Sequence, residues 1–429
     1  MTATSPDARR GLRLEPFRAL RPAADGRQLS RLLCPPYDVI DADERAALLA
    51  ADQDNAVAVI LPEEAEGADR YQVAAERLQR WVETGHAQVD DAPALYVYEM
   101  RDAHGAATRG LVGAVELRDP ADGVILPHEN TMAGPVADRL ALMAATEADV
   151  EAIYLVYDGG GAASRAVAAV EENRPLARTT TGTADDAITH TLWRIDDPAT
   201  LQAVADDLAT RKALIADGHH RYATYRELQQ RLRAERGAGP WDFGLTLLVD
   251  STHYGPQVHA IHRVVRIGFD DALAGMTGWD AELTRFDDPD AAVAALTARD
   301  PSDGFAAVLS DGHQAVLVVD AARRLRDASQ HEGETATLTD LDVTVLHRGL
   351  VEQVWQLEDT VDTVDYAHSV ADALAAARGR GATAVLLRPT PVPAVAAVAA
   401  AGARMPRKST LFTPKPASGL LMRRFCDDG

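Results

Sequence analysis

The sequence predicts a mixed α/β protein whose sheets include antiparallel hairpins flanked by helices, and three observations carry that expectation. Short apolar runs of strand length alternate with stretches whose apolar residues recur at helical spacing. Two pairs of such runs, in ALYVYEMRDAHGAATRGLVGAVEL (94–117) and GFAAVLSDGHQAVLVVD (304–320), are separated by polar loops containing glycine, as in β-hairpins. The stretch ALIADGHHRYATYRELQQRLRAERG (213–237) reads as strand, sharp turn and helix.

Taken in order, residues 1 to about 11 are small and polar and predict a disordered tail. PFRALRP and LLCPPYDVID place prolines between apolar residues, which predicts extended or loop backbone. A short helix is expected over 43–50, and AVAVIL (56–61), bounded by Asn55 and Pro62, suits a buried strand. Residues 68–84 bring Tyr71, Ala74, Leu78 and Trp81 to one side of a helix that stops at Gly85. After the first hairpin, ILPHENTMAGP leads as a loop into a helix over 136–145, and AIYLVYD (152–158) is a strand ended by three glycines. LWRI (192–195) predicts a strand and 201–211 a helix, and LTLLVDSTHYGPQVHAIHRVVRI predicts two strands around a loop. LDVTVLHRGLVEQVW begins a helical stretch, 367–406 gives helix, strand and helix, and RKSTLFTPKPASGLLMRRF ends the chain as loop or edge. The expected domains are a main α/β domain over 12–270, a smaller α/β unit over 271–340, and a C-terminal segment over 341–429.

Composition narrows the function. A net charge of -22, from 65 acids against 43 basic residues, repels nucleic acid backbones and anionic membranes, so neither is an expected partner. Two cysteines, Cys34 and Cys426, lie too far apart in sequence for a CxxC motif, and no apolar run reaches membrane-spanning length. The N-terminus has no apolar signal-peptide core, so a cytoplasmic protein is expected. Against this acidic background, 404–424 contains Arg404, Arg407, Lys408, Lys415, Arg423 and Arg424 and no acid. That island is either a solvated basic loop or an anion site.

The chemistry concentrates at Asp217 to Arg221. Tyr222, Tyr225, Leu228 and Leu232 account for the buried stripe of the helix, leaving Asp217, Gly218, His219, His220 and Arg221 at its start. Free N–H groups and the helix dipole favour an anion there, glycine permits close approach, and Arg221 and the histidines add donors. Asp217 could cap the helix, bind a metal or accept a proton. Lys408, Ser409, Thr410 and Lys415 suit a phosphate or carboxylate, although the loop is not a P-loop. Glu129 is a candidate general base, and His128, Arg139, Tyr37, Asp38 and His262 are candidate substrate contacts, with Asp38 equally able to cap the following helix. No transition-metal site is expected, because neighbouring His219 and His220 would point about 100° apart on a helix.

CPPYDVI (34–40), ILPHENTMAGPVADRLALMAA (125–145), ADGHHRYATY (216–225), LDVTVLHRGL (341–350) and MPRKSTLFTPKPASGLL (405–421) together resemble a bacterial and archaeal family catalogued as domain of unknown function 1015. The DGHHR segment by itself resembles the strand-turn-helix of the ParB/sulfiredoxin-like superfamily, which includes nucleotide-hydrolysing proteins and a free-serine kinase. That second resemblance implies that His219, His220 and Arg221 contact nucleotide phosphates, with Asp217 beside them.

The expectation is a phosphotransferase using ATP or ADP with magnesium on a hydroxyl of a small amino-acid-like metabolite, with Asp217 or Glu129 as base and Arg221 with Lys408 stabilising the transferred group. The alternatives are a non-catalytic nucleotide- or metabolite-binding regulator and a metal-dependent hydrolase.

Overall fold

A computed structural model describes residues 11–64, 67–332, 334–360 and 362–428. The expected N-terminal tail falls outside them, apart from Gly11. The described residues form two compact units: those of Met1–Pro127, Thr131–Pro256 and Pro414–Gly429 make the first, and His128–Asn130 with Gln257–Thr413 make the second.

The first unit is built on one mixed sheet. Its strands are β1 (Leu14–Glu15), β2 (Leu95–Asp102), β3 (Ala107–Glu116), β4 (Ile125–Leu126), β5 (Ile153–Tyr157), β6 (Ala177–Thr181), β7 (Ile188–Ile195), β8 (Ala213–Asp217) and β9 (Phe243–Asp250). They lie in the order β4-β8-β5-β9-β3-β2-β7-β6, with β1 beside β3. The hairpin expected at 94–117 forms between β2 and β3, with Tyr98 opposite Gly110. Parallel pairing joins β8 to β4 and β9 to β5, and the other ladders are antiparallel.

Three helices matter for the site: α1 (Arg70–Glu83), α2 (Ala133–Thr146) and α3 (His219–Arg236). The predicted stripe of α3 is buried: Tyr222, Tyr225, Leu228 and Leu232 pack into a core with Leu155, Ile215 and Leu248 of the sheet. The tyrosine hydroxyls are satisfied inside it, Tyr222 donating to Arg118 O and Tyr225 to Glu151 O, each at 2.6 Å. Helix α3 ends at Gly237, whose φ of +82° favours glycine.

One expected element is corrected. AVAVIL is not a strand: Val57–Ile60 is a short helix, buried all round. Asn55 decides it, because its Oδ1 accepts from Val57 N at 2.9 Å while its Nδ2 donates to Arg31 O and Leu33 O. A run of β-branched residues reports burial on every side, and a polar side chain at its start sets the backbone.

The second unit has a six-stranded sheet of β10 (His262–Val265), β11 (Glu282–Phe286), β12 (Ala306–Ser310), β13 (Ala315–Val319), β14 (Val364–Ala367) and β15 (Thr383–Leu386), in the order β11-β13-β12-β15-β10-β14. This sheet draws strands from both sides of residues 270 and 340, so those positions interrupt no layer. Helices α4 (Pro289–Thr297) and α5 (Val370–Arg380) pack on it, with Leu296, Val308, Leu317, Leu374 and Leu386 in a common core. The helical stretch expected after 341 is largely a π-helix, Val345–Val354, a form that frequently occurs at functional sites. No described helix is long and apolar enough to cross a membrane.

Candidate functional site

In the first unit the chain leaves β8 through Gly218, at φ +91°, and enters α3 at once. A β-carbon there would lie 3.1 Å from Arg221 Nε, so both backbone angle and space require glycine. The register of β8 against β5 shifts between Ile215 and Asp217; such an irregularity re-aims a side chain at a strand end.

Asp217 does not cap the helix. Gly218 is the capping residue, it supplies no side-chain hydrogen bond, and the first turn of α3 contains no acid. Asp217 Oδ2 instead pairs with the Arg221 guanidinium one helical turn on. Asp217 Oδ1 lies 2.7 Å from Lys415 Nζ, which also donates to Asp38 Oδ2 at 3.0 Å. Asp38 is free for this role because Asp41 caps the following helix, accepting from Glu44 N at 2.8 Å.

Beneath these groups the network continues inward. Arg221 is buried and also donates to Ala152 O. Tyr37 N and Ser418 Oγ both donate to Glu151 Oε1 at 3.1 Å, and the Tyr37 ring lies 4.3 Å from the Arg139 guanidinium. Arg139 is itself buried, held by Ile60 O, Asp138 and Glu151. His219 is buried in the first turn, and His220 Nε2 accepts from Met132 N at 3.0 Å, which fixes the His220 ring proton on Nδ1.

The charges set the titrations. Burial raises Asp38, but Lys415 and Arg221 outweigh it and hold the carboxyl below its usual range. Burial lowers Lys415, yet Asp217 and Asp38 push it above the ordinary lysine value, and Arg221 is raised in the same way against its own burial. The Tyr37 hydroxyl is pushed up to about 12, first by burial. It is therefore a neutral donor at neutral pH.

Glu129, His128, Ser409 and Thr410 come together in the second unit. Ser409 N donates to Glu129 Oε1 at 3.2 Å, and His128 Nε2 lies 3.0 Å from Thr410 Oγ1. Ser409 Oγ donates to Pro406 O at 2.5 Å. Lys408 stands exposed at the tip with φ +52°, a strained angle for a residue with a β-carbon. His262 is buried on β10, its Nδ1 accepting from Leu387 N at 3.2 Å, and burial lowers its pKa to about 4.

Arg263, which the sequence offers beside His262 as a candidate addition to the site, holds this loop together with His347, Asp359 and Tyr366, to which the sequence assigns no role. Arg263, fully buried, donates from Nε to His347 Nε2 at 3.1 Å, from NH1 to Ile261 O at 2.5 Å and from NH2 to Arg407 O at 3.0 Å. Because arginine only donates, His347 carries its proton on Nδ1, 3.0 Å from Asp359 Oδ2. Tyr366 stacks under Arg263 at 4.8 Å. Burial lowers Arg263 to about 10 although Tyr366, Asp359 and Glu129 oppose the fall. These residues lie 84 and more positions from Arg263, or on its sheet partner β14, so no local pattern reveals them. In the first unit a local signal does exist: Asp217 and Arg221 are spaced i, i+4. The chain also has only three lysines, Lys212, Lys408 and Lys415.

The carboxylate arrangement tests the magnesium expectation. Asp38 and Asp217 are the pair nearest the turn, and the Lys415 ammonium lies between them, where a divalent ion would have to sit. These residues do not fit magnesium as arranged, and among the described residues no three His, Cys, Asp or Glu side chains are placed to hold a metal. The first turn of this 18-residue helix, whose N-cap Gly218 supplies no side-chain hydrogen bond, lies beside that ammonium, a setting of the kind that favours anions.

The chain belongs to the family described as "Protein of unknown function (DUF1015)", which matches residues 14–344. No curated protein matches it. Among solved structures it is similar to a free serine kinase in complex with AMP, at 14% identity and TM-score 0.33 over 67% of this chain and 83% of that one. It is also similar to a conserved hypothetical protein from Pyrococcus furiosus, at 13% identity and TM-score 0.33 over 71% and 94%. A third is SbnI from Staphylococcus aureus, at 10% and 0.35 over 72% and 85%.

Proposed function

We propose that the protein is a nucleotide-dependent phosphotransferase whose donor is ATP or ADP and whose acceptor is a hydroxyl of a small amino-acid-like metabolite. One observation carries the reading: the half-buried ammonium of Lys415, shared between Asp217 and Asp38 beside the start of α3, where Gly218 supplies no side-chain cap. A phosphate bound at that helix N-terminus attracts Lys415 away from Asp217. Oδ1 of Asp217 then becomes an open acceptor, while Arg221, buried behind it, keeps the carboxylate in place. In that state Asp217 takes the proton of the attacking hydroxyl as the phosphoryl group leaves the nucleotide, and Lys415 meets the charge on the transferred group.

The same exchange of partners supports a second reading, a regulator that binds nucleotide and relays the movement of Lys415 without turnover. Titration calorimetry with ATP, ADP, CTP and GTP tests the shared premise, and the absence of binding by the folded protein overturns both readings. Phosphorus NMR with hydroxyl acceptors separates them. Asp217→Asn is expected to lower transfer by about 10²- to 10⁴-fold, the usual worth of a general base, while sparing binding. Binding without transfer to any acceptor leaves the regulator.

A further inference from the structure

A cavity of about 320 Å³ opens in the first unit, away from Asp217 and Lys415, lined by Ala23, Gln28, Asp52, Asp54, Thr84 and His86 among others. It continues into a narrow, mostly apolar slot of about 20 Å³ between Leu32, Ala56, Trp81 and Met422, sharing Asp54 and His86 with it. The larger space holds a small organic molecule and the slot holds about one methyl or water.

Hydrogen-bond accounting shows what the cavity asks for. Thr84 Oγ1 lies 2.7 Å from Arg80 O, and a carbonyl only accepts, so the single hydroxyl hydrogen is spent there. The same oxygen lies 2.7 Å from His86 Nδ1, which must therefore donate to it. In the neutral ring this leaves a lone pair on His86 Nε2, and that atom faces Asp54 Oδ2 at 3.6 Å. Two acceptors thus confront each other at the half-exposed mouth of the cavity, where a ligand donor between them would replace water. Asp54 Oδ1 is already satisfied by Trp81 Nε1 at 2.7 Å, which locks the carboxylate's orientation.

Charge decides the kind of donor. Asp52 and Asp54 both line the space, Asp52 Oδ1 being taken by Asp54 N at 2.9 Å, and among the described residues no lysine or arginine lines it. Arg77 on α1 is near enough to feel Asp54, but its NH1 is tied to Gln53 O at 2.6 Å. A neutral donor would satisfy the two acceptors and leave two carboxylates, Asp52 and Asp54, against the partial offset that Arg77 gives Asp54.

We infer that this cavity is a binding site for a small primary amine, its ammonium between Asp54 and His86 and its short aliphatic end against the Leu32 and Trp81 slot. The inference is independent of the nucleotide reading, since no residue is shared. n-Butylammonium and 1,4-diaminobutane, with butan-1-ol as the neutral control, are titrated into the full chain at pH 7.5 by NMR and calorimetry. The amine is expected to bind one to one and about tenfold or more tighter than the alcohol, the worth of one charge-assisted hydrogen bond. Asp54→Asn places an amide N–H against His86 Nε2 while keeping the Trp81 bond. That variant is expected to keep the wild-type melting temperature and to lose the amine preference. Three outcomes overturn the inference: no amine binding, amine binding unchanged in Asp54→Asn, or a nitrogen spectrum of the amine-free protein showing both His86 ring nitrogens protonated, since His86 then supplies the donor itself.

Discussion

The two polar clusters neutralise a buried arginine in opposite ways. In the first unit Arg221 is paired directly with Asp217, and Lys415 is paired with Asp217 and Asp38. In the second, Arg263 gives its hydrogen bonds to two carbonyls and an imidazole and its stack to Tyr366, and among the described residues it forms no ion pair with a carboxylate. The titrations follow: Arg221 is raised despite burial, and Arg263 falls to about 10 because of it. A cluster of paired charges can exchange partners with an incoming anion, whereas a cation held by carbonyls serves to fix those carbonyls. Arg407 O is one of them, so Arg263 holds the backbone next to strained Lys408.

Breaking the pairs separates the two designs. Arg221→Met leaves the half-buried Asp217 and Ala152 O each with one partner gone and is expected to cost about 3 kcal/mol in urea unfolding, the lower end for a broken buried ion pair, because Lys415 stays on Asp217. Arg263→Met strands only neutral acceptors and relieves a costly burial, so about 1–3 kcal/mol is expected. An Arg263 variant as damaging as the Arg221 one would remove the distinction.

Gly218→Ala comes next. It forces a β-carbon to φ +91° and against Arg221, for about 1–3 kcal/mol. The loss is expected to shrink in Arg221→Met, because the two act on one contact.

Alkaline titration should show opposite signs. Lys415 has a folded pKa above its unfolded value, so its contribution is present below about 10.4 and is lost as pH rises through the folded value. Arg263, at about 10, lies below its unfolded value, so the unfolded chain holds the proton longer and stability rises with pH above 10. Carbon-detected NMR of the Arg263 Cζ and Lys415 Cε resonances reads each proton directly.

A smaller effect is expected in acid. Burial lowers His262 to about 4, so its folded form resists protonation and the second unit loses up to about 1.4 kcal/mol per pH unit between about 6.5 and 4. His262→Gln should flatten that slope in a melting-temperature series.

Much of this frame was legible from local pattern. The turn at Gly218, the buried stripe of α3, both hairpins and the basic island at 404–424 depend on neighbours a few residues apart, and these arise where the sequence places them. The helix at Val57–Ile60 was misread because an all-apolar run carries no period, and its conformation hung on the side chain of Asn55. The sequence singled out Asp217, Asp38 and Lys415 as polar residues on turns and loops, and Asp217 and Asp38 each had a capping alternative.

What this sequence determined by itself is therefore most of its strands, turns and helices and an acidic composition with one basic segment, because propensity, periodicity and net charge act over a few residues or add without regard to position. Which charges meet was decided by the tertiary structure alone. Lys415 reaches Asp38 across 377 positions and Arg263 reaches His347 across 84. A charge lowers its energy in a buried site only by finding whatever partner folding brings within a few ångströms, and sequence distance does not enter that energy.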